Sequence, residues 1–220
     1  MISDTHCKHG YLDIHPPEDV DMVIHAGDAS TTRDLSFNEA EFREFLAWFS
    51  SLPYQYKVFV PGNHDTSFEA GMHKGQIPDD VHILVDETIV LGGLKIFGSP
   101  YTPAFGHGWA YNHSIQKSFK RYRLIEEDTD IVITHGPPKG ILDITNSHGI
   151  YYERTGDKHL LNRILEVKPQ LHIFGHLHDE DNVYNSGVFY NESLARTKFV
   201  NASVLNLRHK FYSNGHLIEI

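Results

Sequence analysis

The sequence predicts an α/β fold with a β-rich end. Three observations carry this reading. Short apolar runs recur along the first four-fifths of the chain, each ending abruptly in polar or glycine-containing turns. Segments with helical apolar spacing lie between several of them. The last forty or so residues hold only short alternating stretches, the period of strands. The 220 residues suffice for one domain with a sizeable core, and no composition shift divides them, so a single domain over 1–220 is expected.

Met1-Ile2-Ser3 reads as a strand cut short, followed at once by Asp4-Thr5-His6. Residues 7–19, with Gly10 and Pro16-Pro17, form a loop. Met22-Val23-Ile24 is a buried strand ending in His25-Ala26-Gly27-Asp28. The clearest helix covers 36–50: Ser36 and Glu39 suit a capping box, and Phe42, Phe45, Leu46 and Phe49 make one apolar stripe. That stripe is core. Lys57-Val58-Phe59-Val60 is the next strand, ending in Pro61-Gly62-Asn63-His64-Asp65. Residues 82–85, 88–91 and 94–97 are strands, the last two joined across Gly92-Gly93 as a tight hairpin.

A Gly/Pro/aromatic loop spans 99–113, and a helix is expected at about 114–125. Asp130-Ile131-Val132-Ile133 is a strand ending in Thr134-His135-Gly136-Pro137-Pro138. A long loop, 137–155, precedes a helix at 157–167 bearing Leu160, Leu161, Ile164 and Leu165. Leu171-His172-Ile173-Phe174 then leads into Gly175-His176-Leu177-His178. Strands are expected at 183–184, 188–190, 199–205 and 216–220.

Composition excludes several classes. Hydrophobic residues make up 40% and charged residues 22%, ordinary for a globular protein. No apolar run approaches the ~20 residues of a membrane span, and from the polar start at Ser3-Asp4 no signal peptide is expected. The lone Cys7 forbids an intrachain disulfide, so a cytoplasmic location is expected. The formal net charge of −10 disfavours strong nucleic-acid binding. It fits either a solubilising acidic surface or a protein carrying carboxylate metal ligands.

The 17 histidines are the unusual number. A His-x-His pair alone can be two solvent-facing loop residues. Here, however, five apolar runs each end in metal-capable residues: Asp4 and His6; Asp28; Asn63 and His64; His135; His176 and His178. In open α/β sheets, ligands bind beyond the carboxyl ends of strands. No thiolate pair is present, so a structural Cys-type zinc site is excluded. Mixed Asp, Asn and His donors suit Mn, Fe, Zn or Ni. Eight such groups exceed the needs of one ion with open positions and suit two divalent metal ions sharing a carboxylate.

Ser3-Asp4-Thr5-His6, Gly27-Asp28, Gly62-Asn63-His64-Asp65, Thr134-His135-Gly136 and Gly175-His176-Leu177-His178, in this order, resemble the calcineurin-like metallophosphoesterase family. Leu52-Pro53-Tyr54, Gly98-Ser99-Pro100-Tyr101-Thr102-Pro103, Thr134-His135-Gly136-Pro137-Pro138-Lys139-Gly140 and Asn201-Ala202-Ser203 look closest to its metallophosphoesterase domain-containing (MPPED) subgroup. The resemblance implies a four-layer α/β/β/α sandwich of two mixed β-sheets flanked by helices. It implies that Asp4, His6 and His178 bind one metal, that Asn63, His135 and His176 bind the other, and that Asp28 bridges them. It also implies attack on phosphorus by a metal-bound hydroxide, with His64 as proton donor and Asp65 orienting His64. The expected activity is that of a metal-dependent phosphodiesterase on a small phosphoester substrate such as a cyclic nucleotide. The alternatives are a phosphomonoesterase or nuclease on the same site, or a metal-binding interaction module with little catalysis.

Other residues have weaker claims. His9 is a candidate for substrate phosphate, as is Arg154, with His148, Tyr151 and Tyr152, in the 137–155 loop. Aromatics of the 101–113 loop either stack on a nucleobase or fold on one another. His25 and His172 are read as buried, hydrogen-bonded histidines, and Cys7 as a bystander. His73, His82, His159, His209 and His216 are read as surface residues.

Overall fold

The computed structural model describes residues 1–13, 20–147 and 151–220. In chain order the elements are β1 (Met22–His25), α1 (Leu35–Ser51), β2 (Tyr56–Phe59), α2 (Thr66–Glu69), β3 (Val81–Ile83), β4 (Glu87–Leu91), β5 (Leu94–Ser99), β6 (Thr102–Pro103) and β7 (Asn112–His113). They continue as α3 (Ile115–Tyr122), β8 (Ile131–Thr134), β9 (Ile144–Ser147), β10 (Tyr151–Arg154), α4 (Lys158–Val167), β11 (Leu171–Phe174), β12 (Gly187–Asn191) and β13 (Ala195–Asn201).

Two principal sheets result. One is β1-β2-β3, paired in parallel throughout rather than mixed as expected. The other has the order β12-β13-β11-β8-β5-β4, with parallel pairing from β13 to β5 and antiparallel strands at both edges. The short N-terminal segment links the two regions: Ile2 bridges His25 on one side and Ser3 bridges Ser203 on the other.

Strand alternation sorts the apolar residues into three cores. Val23, Phe59 and Val81 face α1, whose stripe of Phe42, Phe45, Leu46 and Phe49 is buried against them. Their neighbours Ile24, Val58 and Val60 point the other way and meet Ile96, Ile131, Ile133, Ile173 and Val200 between the sheets. On the far face of the larger sheet, Phe97, Val132, Phe174 and Phe199 pack on Tyr122 of α3 and on Leu160 and Ile164 of α4. Helix, sheet, sheet and helix therefore form four layers. Each fully buried Leu, Ile or Phe contributes about 1.5–3 kcal/mol, so these layers hold the strand ends firmly in place.

Several local expectations change. The cap of α1 is Asp34, whose carboxylate accepts from the Ser36 and Phe37 N–H groups, not Ser36. Glu39 instead pairs with Arg43 one turn along. The 99–113 loop contains the small parallel pair β6–β7, and the 137–155 loop contains the antiparallel hairpin β9–β10. Residues 216–220 are not a strand, although the backbone of His216 exchanges hydrogen bonds with Met1. Among the described residues, no helix is long and apolar enough to cross a membrane.

Candidate metal centre

Parallel pairing brings the carboxyl ends of β1, β2, β8 and β11 to one end of the sandwich, which places the turn after each strand beside the others. Three groups of donors assemble there: Asp4, His6 and His178; His6, Asp28 and His64; and Asp28, His135 and His176. His135 Nε2 also lies 2.9 Å from Asn63 Oδ1 and 3.3 Å from Asp28 Oδ1. His178 Nε2 is 3.4 Å from both Asp4 Oδ1 and His6 Nε2. The structure thus brings together Asp4, His6, Asp28, Asn63, His64, His135, His176 and His178. Asp28 touches both halves.

The backbone is bent to achieve this. Asp4, His6, Asp28 and His176 have φ values of 55°, 41°, 57° and 71°, in the left-handed region that non-glycine residues seldom adopt. Such strain concentrates at functional sites, where the surroundings enforce it. Gly175 serves close approach: a Cβ there would collide with Ser3 Oγ and the Asp4 carboxylate. Gly62 does the same against Asp28.

The donor chemistry fits cations. His6 Nδ1 lies 3.0 Å from the Ser30 carbonyl and His135 Nδ1 lies 2.8 Å from the Ala26 carbonyl. A carbonyl only accepts, so each Nδ1 carries the proton and each Nε2 presents a lone pair to the centre. Lone pairs of His135, Asn63 and Asp28 then converge with no hydrogen between them, and only a proton or a cation relieves that arrangement. Burial disfavours charge on His135, yet the Asp28 carboxylate overrides it and raises the imidazole to about 9. For His178, burial again opposes charge, and Asp4 again wins and raises it. Burial lowers His6 to about 4 and His176 to about 3, keeping both neutral, as metal ligands must be. Asp28 is held well below the usual carboxylate range: burial pushes it up, and the positive charge of His135 and His64 more than reverses this.

A surrounding layer fixes the donors. Ser203 Oγ donates to Asp4 Oδ2 at 2.6 Å, and the His176 N–H donates to both Asp4 oxygens. Asn201 Nδ2 donates to the Leu177 carbonyl, and Asn185 Nδ2 donates to the His178 carbonyl. Asp65, expected to orient His64, is used differently. Its carboxylate accepts from the N–H groups of Gly62, Asp28 and Ser30, tying together the turns after β1 and β2. Burial and the nearby Asp28 raise it to about 6. His64 is oriented by the Thr31 carbonyl, 2.7 Å from its Nδ1, which turns Nε2 toward Asp28 Oδ2 at 4.0 Å.

The two phosphate candidates are engaged with other groups. His9 is 3% exposed and packs on Phe45 and Trp48 of α1. Arg154 is engaged with Asp143 and the Gly140 carbonyl, where it closes the base of the β9–β10 hairpin. His148 lies outside the described residues. His25 and His172 are fully buried, with Nε2 against Thr5 and Thr134 hydroxyls. Burial pushes the Cys7 thiol up to about 11, far from a ligating thiolate, and Cys7 stands outside the donor groups. Among the residues read as surface, His73 is buried on Ser67, and the half-buried His209 has its ring 5.0 Å from that of His6. No motif surrounds His209, so the sequence held no signal for it.

The sequence profile of the calcineurin-like phosphoesterases matches residues 1–180. Metallophosphoesterase domain-containing protein 1 of Homo sapiens is 32% identical over 235 residues, covering 95% of this chain. The chain spans 66% of that relative's length. UPF0046 protein K07C11.7 of Caenorhabditis elegans is 29% identical over 93% of this chain and 69% of its own. One crystal structure superposes with a TM-score of 0.65 at 13% identity, over 91% of this chain and 88% of that one, a likeness of fold. Motif order, donor geometry and the profile match agree: the chain belongs to the calcineurin-like phosphoesterase family, with its nearer likeness to the metallophosphoesterase domain-containing proteins.

Proposed function

We propose that this chain is a dinuclear metal-dependent phosphodiesterase acting on small phosphodiesters, cyclic nucleotides among them. The observation that carries the reading is the sharing of Asp28 between two donor groups at one sheet end. Two divalent cations bound there would activate water and offset the charge that develops on a phosphoryl group.

The residues divide the remaining work. Asp4, His6 and His178 would hold one cation, Asn63, His135 and His176 the other, and Asp28 both. The His64 side chain is 20% exposed, against 3%, 0% and 7% for His6, His135 and His178. Its Nε2 can therefore meet a substrate. In its protonated form it would donate to the departing oxygen, with the Thr31 carbonyl keeping Nε2 forward. The Asp65 carboxylate would hold Gly62 and Asp28 at the spacing this requires.

The test is turnover of bis(p-nitrophenyl) phosphate, p-nitrophenyl phosphate and 2′,3′- and 3′,5′-cyclic AMP by Mn²⁺-loaded and chelator-treated protein. The expected result is metal-dependent hydrolysis with diesters preferred. Preference for the monoester would reassign the substrate class, and no turnover of any phosphoester would overturn the proposal.

A further inference from the structure

The loop between β6 and β7 brings two aromatic rings to the rim of the metal centre. The Phe105 ring lies 4.9 Å from that of His176, and the Trp109 ring lies 4.7 Å from that of His64. The two rings are themselves 5.8 Å apart. The guanidinium of Arg33, from the turn after β1, sits 4.4 Å over the Trp109 ring. Gly106 and Gly108, with φ of 79° and 75°, make the turn that separates the rings while keeping both on the same side.

Three features distinguish this rim from a loop folded on its own side chains. First, its base is registered to the centre: the Ala110 N–H donates to the carbonyl of Asn63, and the Tyr111 N–H donates to Glu69. Second, Phe105 remains 37% exposed although its ring lies beside that of a candidate ligand, which leaves one face open to a bound group. Third, Arg33 donates to the His107 carbonyl of this loop at 3.4 Å and pairs with no carboxylate among the described residues, in a chain of net charge −10. An unpaired cation stacked on indole beside a phosphoryl site suits a flat, electron-rich group attached to an anion.

We infer that Phe105 and Trp109, with Arg33, form a subsite for a flat aromatic group carried by the phosphoester, either an aryl group or a nucleobase. The inference rests on reading the adjoining centre as a phosphoester site. With His64 as proton donor, the departing oxygen would lie on the His64 side and the group it bears beside Trp109. A phosphoester with a flat substituent would gain contact there that an aliphatic one lacks.

Binding tests this without turnover. Isothermal titration of Mn²⁺-loaded protein would compare AMP, phenyl phosphate and ribose 5-phosphate, all monoester anions. At least one of the first two is expected to bind about tenfold or more tightly than ribose 5-phosphate. An advantage for AMP alone identifies a nucleobase, and an equal advantage for phenyl phosphate identifies any flat ring. Phe105→Ala and Trp109→Ala are each expected to shrink that advantage at least severalfold. Phe105→Ala, which removes an exposed ring, carries the test should Trp109→Ala not fold. Equal binding of all three compounds by the wild type, or an advantage untouched in Phe105→Ala, would overturn the inference. If the aromatic advantage is present but no phosphoester is hydrolysed, the functional reading fails and the subsite stands. Hydrolysis without the advantage means the reverse.

Discussion

Ser203 and Asp4 lie 199 positions apart in sequence, yet Ser203 Oγ donates to Asp4 Oδ2 at 2.6 Å. The bond closes the N-terminal segment onto the chain that follows β13. It also consumes one carboxylate oxygen, leaving Oδ1 to face His178. Ser203→Ala would leave that oxygen held by the His176 N–H alone. Hydrogen-bond partners of ligands typically account for about 10–100-fold in metal affinity. A loss of that size at one of the two metal sites, with an unchanged thermal melt of the chelated protein, is the expected outcome of metal titration.

His64 has a free Nε2 and a fixed Nδ1. General acid catalysis contributes about 10²–10⁴-fold, and most of it is needed when the leaving group is poor. His64→Ala should therefore lose about that factor on an alkyl diester and much less on bis(p-nitrophenyl) phosphate, whose leaving group departs readily. Equal losses on both substrates would remove the proton-donor role.

His176 and His178 diverge although only one residue separates them. His176 joins Asp28 and His135, whereas His178 joins Asp4 and His6. His176→Ala should weaken one bound ion strongly and leave the other largely held. Metal content after gel filtration is expected to fall from two equivalents per chain toward one.

His172 offers a pH prediction away from the centre. Burial lowers it to about 3, from 6.5 in the unfolded chain. The folded value is the lower one, so below pH 6.5 the unfolded chain binds a proton that the native state refuses. Stability from this group is full above pH 6.5 and is lost as pH falls from there toward 3. Between pH 7.5 and pH 5 the loss is about 2 kcal/mol. His172→Gln keeps a donor toward Thr134 but does not titrate. In chelated protein its denaturant midpoint should fall less over this interval than that of the wild type.

The donors were legible because each stands directly after an apolar run, and burial makes such runs conspicuous. The β4–β5 hairpin was legible for a similar reason: Gly92-Gly93 interrupts two apolar stretches, and Leu91 pairs with Leu94 across it. By contrast β10 is exposed along its whole length, so Tyr151-Tyr152-Glu153-Arg154 shows no inward and outward alternation to read. The α1 cap was misplaced because Asp34 and Ser36 both suit the position, and only the backbone turn decides between them. The family resemblance implies that Asp65 orients His64. Its carboxylate turns back to the Gly62, Asp28 and Ser30 amides, a tertiary arrangement that no local pattern encodes. His209 reaches His6 from a loop without regular structure, a long-range contact equally invisible in sequence.

The central claim is a pair of cations sharing Asp28. Electron paramagnetic resonance of the Mn²⁺-loaded protein tests it most directly, because two manganese ions bridged by one carboxylate are exchange-coupled. The account predicts the multiline spectrum of a coupled pair in the wild type and its loss in Asp28→Asn. A wild-type spectrum of isolated ions only, at full metal loading, would contradict it.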